Sequence, residues 1–313
     1  MQHNDEAFAA MLLTLPLSAE GEEAVKPLSG RELGSVCGIL GLSGDPVSTL
    51  IGRDVSWFMR VLRMNENEAY RMRILLSREM LLYKLLDDTI DRGIDVITPF
   101  HDEYPAILKA RMGGIQAPPL FIKGDTELFK ANYVGIMGIE GVKTPEHVLA
   151  GVRDLVDQAA EYGFGIATEN TLGACRAARH AAMTENGDLL ARLICVLDGG
   201  LTAACEKYEK YTSEGSALLV SLAHPDAPAG TKDASKILCA LSCAAFIATT
   251  DGKRDEAEIA KQQLCDYLYV FDAPELPGNT YAASKGFERV TRADVPGSYD
   301  KWTGKRGEQL SFL

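Results

Sequence analysis

From Val134 onward the apolar residues gather into short runs separated by longer stretches in which apolar positions recur every three or four residues. The runs occupy 134–137, 164–167, 193–197, 217–220, 244–248 and 267–271. Short apolar runs bounded by turn residues read as strands buried on both faces. Between them, Val148, Val152, Leu155, Val156 and Ala159 follow Pro145 at the spacing of one helix face, and further helices are expected over 174–183 and 235–241. Strands separated by helices run parallel through right-handed crossovers. The pattern therefore predicts a doubly wound, Rossmann-like α/β parallel sheet with helices on both faces.

The chain before about residue 95 has a different texture. Trp57, Phe58, Val61, Leu62, Leu75, Leu76, Met80, Leu82, Tyr83, Leu85 and Leu86 keep helical spacing without strand alternation. Ser29-Gly30-Arg31-Glu32 has the order of a capping box, and Gly41, Gly44 and Pro46 supply a stop after it. Residues 1–94 are thus expected to form a small helical domain, either a packed accessory module or a helix-hairpin-helix DNA binder. Residues 94–98 read as a short strand, and Tyr104-Pro105 together with the 118–125 segment as a connector into the next strand. The Rossmann-like domain is expected over 95–290, followed by a tail over 291–313.

In such sheets ligands bind outside the carboxyl ends of the strands. The first strand leads into Gly138, Ile139, Glu140, Gly141, Val142, Lys143, Thr144 and Pro145, a glycine turn entering a helix whose free amides suit an anion. It is not a G-x-G-x-x-G turn. Thr168, at the end of the second strand, precedes Gly173 and a helix bearing Arg176 and Arg179, which three-residue spacing places on one face, as a phosphate pair or as a solvated surface. Gly199 and Gly200, after Asp198, allow close backbone approach, by a phosphate or simply within a tight turn.

Composition narrows the function. A net charge of −12 removes any generic electrostatic grip on a polyanion, so nucleic-acid binding requires a local basic patch. The seven cysteines include no C-x-x-C pair, and Cys239 and Cys243, four apart, supply only two ligands of a zinc site; reduced, buried thiols are the expectation. No apolar run is long enough to span a membrane, and a cytoplasmic location without membrane contact is expected. The sequence has no H-E-x-x-H, G-x-S-x-G or Walker A motif, and its five histidines form no recognisable constellation. Nothing positive points to an enzyme, and no cofactor is expected.

Several segments resemble the DNA-processing protein A (DprA/Smf) family. Tyr104-Pro105-Ala106-Ile107-Leu108-Lys109 matches its Tyr-Pro-x-x-Leu-Lys element, and Pro118-Pro119-Leu120-Phe121-Ile122-Lys123-Gly124 matches its Pro-Pro-x-Leu-(Tyr/Phe)-x-Lys-Gly segment. Val134-Gly135-Ile136-Met137-Gly138 stands at its first Rossmann turn, with Ile139 and Glu140 where the family has serine and arginine. Thr168 to Arg179 falls on a second signature, keeping Gly173 but placing Leu172 at an arginine. Asp198-Gly199-Gly200-Leu201 and the 234–242 run, with Lys236 and Ser242 alike in kind, continue the similarity, as do Tyr269-Val270-Phe271 and Pro277-Gly278-Asn279. The resemblance spans roughly residues 95–290. It implies single-stranded DNA binding in recombination or foreign-DNA processing of the transformation type, a homodimer through the Rossmann-like domain, and a RecA-type recombinase as partner. The residues it points to for phosphate are Gly138, Lys143, Thr144, Thr168, Gly173, Arg176, Arg179, Gly199, Gly200, Lys236 and Ser242. The substitutions at Glu140 and Leu172 imply weak binding. The alternative is a small-nucleotide sensor or effector on the same fold.

Overall fold

The computed structural model describes residues 3–18, 25–183, 187–230, 234–251 and 264–295. The expected tail lies outside the described residues from 296 onward. The chain forms two compact units, one of Met1–Lys123 with Leu222–Pro225 and one of Gly124–Ser221 with Asp226–Leu313.

The first unit contains helices α1 (Asp5–Thr14), α2 (Gly30–Ser43), α3 (Val55–Val61), α4 (Glu66–Leu76), α5 (Glu79–Ile90) and α6 (Ala106–Arg111). Strand β1 (Asp95–Ile97) pairs antiparallel with β2 (Leu120–Gly124). Local signals set the helix ends. Ser29 accepts from the Glu32 amide while Glu32 accepts from the Ser29 amide, the reciprocal capping box expected for α2. Met11, Leu12, Leu13, Leu40, Phe58, Leu75 and Leu82 are buried in the core of this unit. The buried Arg78 guanidinium donates to the carbonyls of Leu12, Leu15 and Leu17, satisfying acceptors at and beyond the end of α1 that have no helical partner.

The second unit follows the strand-and-helix rhythm of the sequence. Its elements are β3 (Tyr133–Gly138), α7 (Glu146–Glu161), β4 (Gly165–Glu169), α8 (Ala174–Ala181), β5 (Leu193–Leu197), α9 (Thr202–Ser213), β6 (Ala217–Ser221), α10 (Ser235–Leu241), β7 (Ala244–Thr249), β8 (Tyr267–Phe271), α11 (Pro277–Ser284) and β9 (Glu288–Val290). The strands lie in the order β6-β5-β4-β3-β7-β8-β9, every pair parallel. This is the doubly wound, Rossmann-like sheet expected. Strands β3 to β7 are buried at every position, which explains why their sequences are apolar runs rather than alternations. The order runs one way from β3 through β4, β5 and β6 and the other way through β7, β8 and β9. The switch point thus falls between the carboxyl ends of β3 and β7.

Candidate nucleic-acid interface

At the switch point β3 ends in Gly138, whose neighbours leave little room for a side chain. A Cβ there would stand 3.2 Å from the Ala174 Cβ and 3.3 Å from the Thr249 Oγ1. The Ile139 amide donates to the Thr249 carbonyl at 3.1 Å, joining the ends of β3 and β7. Thr171 Oγ1 donates to the Gly138 carbonyl at 3.1 Å, joining β3 to the loop after β4. Thr144 Oγ1, before α7, lies beside Gly173, where a Cβ would approach it to 3.2 Å. The hydroxyl oxygens of Thr144 and Thr249 are both buried without a hydrogen-bond partner. A buried polar atom left in this state costs about 1–3 kcal/mol, so two of them beside one switch point call for an explanation.

The loop after β4 is braced from several sides. Gly173 takes φ +67°, ψ −127°, a conformation open to glycine, and starts α8 without a side-chain cap. Arg179 is buried, and its guanidinium donates to the carbonyls of Glu169 and, at 2.7 Å, Thr171. Tyr208 OH donates to Asn170 Oδ1 at 3.3 Å, and the Asn170 amide donates to the Val196 carbonyl at 3.2 Å. Thr168 is buried one residue inside the edge, its hydroxyl turned to the Glu169 carbonyl.

The outward face expected to carry both Arg176 and Arg179 is not formed. The inner stripe of α8 is Ala174, Cys175, Ala178 and Arg179, so Arg179 repeats the inward position of Cys175 one turn later while Arg176 faces solvent. Arg176 donates to His180 Nε2 at 3.4 Å, and its cationic neighbour is Lys207 on α9. Burial, then the guanidinium charges of Arg179 and Arg176, lower the Lys207 ammonium below its ordinary value. No carboxylate lies within ion-pair distance of Arg176 or Lys207 among the described residues. Lys207 and Thr249 were not singled out from the sequence. The Ala204, Tyr208, Thr212 spacing marks the buried side of α9 and was the signal available for orienting Lys207.

The remaining candidates divide. Lys143 is exposed in the turn before α7, and Lys236 is exposed at the start of α10. Gly199 and Gly200 are covered by the chain itself. A Cβ on Gly199 would meet the Pro228 carbonyl oxygen at 2.7 Å, the Gly200 amide donates to Ala227 at 2.8 Å, and the Gly230 amide donates to Asp198 Oδ2 at 3.0 Å. The close approach those glycines allow is thus taken by the 227–230 segment. Ser242 follows α10 and precedes β7, at the amino edge of the sheet. Its hydroxyl donates to the Leu238 carbonyl at 2.7 Å and packs on Gly135, where a Cβ would stand 2.6 Å away.

With this geometry the second unit is an α/β Rossmann-like domain whose carboxyl edge combines glycine turns, an uncapped helix start and the exposed cations Lys143, Arg176, Lys207 and Lys236. No family profile and no curated protein sequence matches the chain. Its structure is similar to that of DNA processing protein A from Streptococcus pneumoniae, with a TM-score of 0.55 and 17% identity over 86% of this chain and 98% of that one. It is also similar to DNA processing protein A from Helicobacter pylori, described for its single-stranded DNA binding mode, with a TM-score of 0.49 and 18% identity over 66% of this chain and 96% of that one. The molybdenum cofactor carrier protein from Chlamydomonas reinhardtii follows, with a TM-score of 0.40 and 19% identity over 56% and 99%. The Streptococcus pneumoniae likeness shows a shared fold. Among the described residues no helix is long and apolar enough to cross a membrane.

Proposed function

We propose that this chain is a divergent DprA/Smf-like protein that binds the phosphate backbone of single-stranded DNA weakly at the carboxyl edge of its parallel sheet. The observation that carries the reading is the exposed pair Arg176 and Lys207, which have no carboxylate partner among the described residues. Cations left unneutralised in a chain of net charge −12 form the local patch that a polyanion needs. Lys143 and Lys236 extend it, and Gly173 opens a helix start toward the same edge. The two motif matches before β3 and the fold shared with the Streptococcus pneumoniae protein support the same reading. With it go self-association through the Rossmann-like unit and transfer of the strand to a RecA-type recombinase.

Fluorescence anisotropy with a single-stranded oligonucleotide at low salt tests the binding. Arg176→Ala with Lys207→Ala should remove most of it, and a double variant that binds like the parent sinks the proposal. Light scattering tests the homodimer, which a monomer at micromolar concentration would exclude. A second reading, a small phosphate-bearing nucleotide at the end of β3, draws on the partnerless hydroxyls of Thr144 and Thr249. Calorimetric titration with mononucleotides distinguishes the two, since this reading requires saturable binding lost in Thr249→Val while oligonucleotide binding is absent.

A further inference from the structure

The strongest titratable cluster outside the sheet edge lies in the first unit. His101 is buried in the loop after β1, and His3 stands just before α1. His3 Nδ1 and His101 Nε2 are 2.9 Å apart. On its other side His101 Nδ1 lies 2.9 Å from the Thr98 amide. A backbone N–H can only donate, so His101 Nδ1 must be the acceptor, and the proton of the neutral ring sits on Nε2. That proton is donated to His3 Nδ1, which places the single proton of His3 on its own Nε2. The chain of donors thus fixes both tautomers, and neither ring has a site for a second proton without turning a hydrogen bond into an N–H against an N–H.

The pair holds two segments together. Asn4 accepts from the Ala7 amide to cap α1 and donates to the Phe100 carbonyl at 2.9 Å. Lys109 Nζ donates to the Pro99 carbonyl at 2.6 Å, and the Tyr104 amide donates to the His101 carbonyl at 3.2 Å, so the loop also anchors the Tyr104-Pro105 element and α6. The charged groups around the pair among the described residues are Asp95 on β1, Asp102 and Glu103 in the loop and Lys109 on α6.

We propose that His3 and His101 form a proton-operated latch, which fastens the start of α1 to the loop after β1 while both rings are neutral and releases it when either takes a second proton. The environment keeps the latch closed at neutral pH. Burial and the His101 ring lower His3, against Asp95 and Glu103. Burial likewise lowers His101, outweighing the Thr98 backbone contact and the charges of Glu103, Asp102 and Asp95, all of which raise it. Because both values lie below that of an unfolded chain, the stabilisation is complete above about pH 6.5 and is lost as pH falls through the folded-state values.

Nuclear magnetic resonance of the nitrogen-15-labelled full chain between about pH 8 and pH 5 tests this. At neutral pH both rings should carry the proton on Nε2. On acidification the Thr98 amide should lose about tenfold in exchange protection, relative to its intrinsic rate, with the midpoint of the two imidazoles. His101→Gln should abolish that coupled transition and let His3 titrate closer to its ordinary value. If that variant does not fold, the tautomers of the wild-type rings decide. A proton on His101 Nδ1 at neutral pH, Thr98 protection that is constant down to about pH 5, or an unchanged transition in His101→Gln overturns the proposal.

Discussion

Arg176 and Arg179 stand three positions apart and face opposite environments, which separates a structural cation from a binding one. Removing the Arg179 side chain takes the guanidinium donors from the carbonyls of Glu169 and Thr171 and leaves a cavity behind the loop. Arg179→Ala should therefore cost about 2–4 kcal/mol in urea denaturation, whereas Arg176→Ala should stay within about 0.5 kcal/mol. An inverted order would place Arg179 outside the core. The same scale governs affinity. Glu140 is exposed in the turn after β3, and Leu172 is exposed immediately before Gly173. Glu140→Arg and Leu172→Arg should each tighten single-stranded DNA binding and steepen its salt dependence by about one contact's worth, roughly 0.7 in slope. Unchanged affinity in both would mean that the strand does not pass the switch point. The inward role of Arg179 could have been read from Ala174, Cys175 and Ala178, whose stripe already included it. The covering of Gly199 could not, because the segment that covers it is 28 to 31 positions away in sequence and glycine serves a ligand or a neighbouring chain equally well.

Elements were legible where the local pattern had one physical solution. Each of the six apolar runs became a strand of the parallel sheet, since a run buried on both faces between helical stretches has little else to become. Residues 120–124, read as part of a connector, form β2, and the three-residue β9 was missed because Glu288 and Arg289 are exposed and break the apolar signal. Helix starts were clearer. The box predicted at Ser29 exists, and Glu32 within it also meets Arg71 of α4 at 2.7 Å. The Arg71 hydrogen bond, with the Ser29 amide, lowers the Glu32 carboxyl to about 2 from an ordinary 4.5. A depressed carboxylate stabilises the fold fully above its unfolded value and loses that contribution as pH falls from there toward the folded one. Glu32→Gln should accordingly flatten the stability profile between about pH 4.5 and 2. Because the side chain is 43% exposed, the difference should be no more than about 1 kcal/mol. Chemical denaturation at stepped pH measures it, and parallel profiles for the two proteins would show that the α2–α4 ion pair contributes nothing.

For the whole molecule, charge decides how any strand is held. A net charge of −12 repels a polyanion at long range, so attraction comes only within a Debye length of about 8–10 Å from cations that lack partners. At the carboxyl edge of the second unit, among the described residues, the exposed cations without a carboxylate partner are Lys143, Arg176, Lys207 and Lys236, Arg179 being occupied inside. Each phosphate neutralised on a single strand contributes roughly −0.7 to the slope of log K against log salt, so the four together give about −2 to −3. The distribution of that slope is the sharper expectation. Arg176→Ala and Lys207→Ala should each flatten it by about 0.7, while Arg179→Met, in whatever fraction folds, should leave it unchanged. Sequence preference should be absent, because among the described residues the edge offers cations and helix amides rather than exposed aromatic rings for stacking bases, and oligonucleotides of thymine alone and of mixed sequence should bind alike. A slope steeper than about −5 would require cations beyond these four. Binding with a slope near zero would mean that bases or sugars, not phosphates, are held, and the interface would have to be sought away from the carboxyl edge.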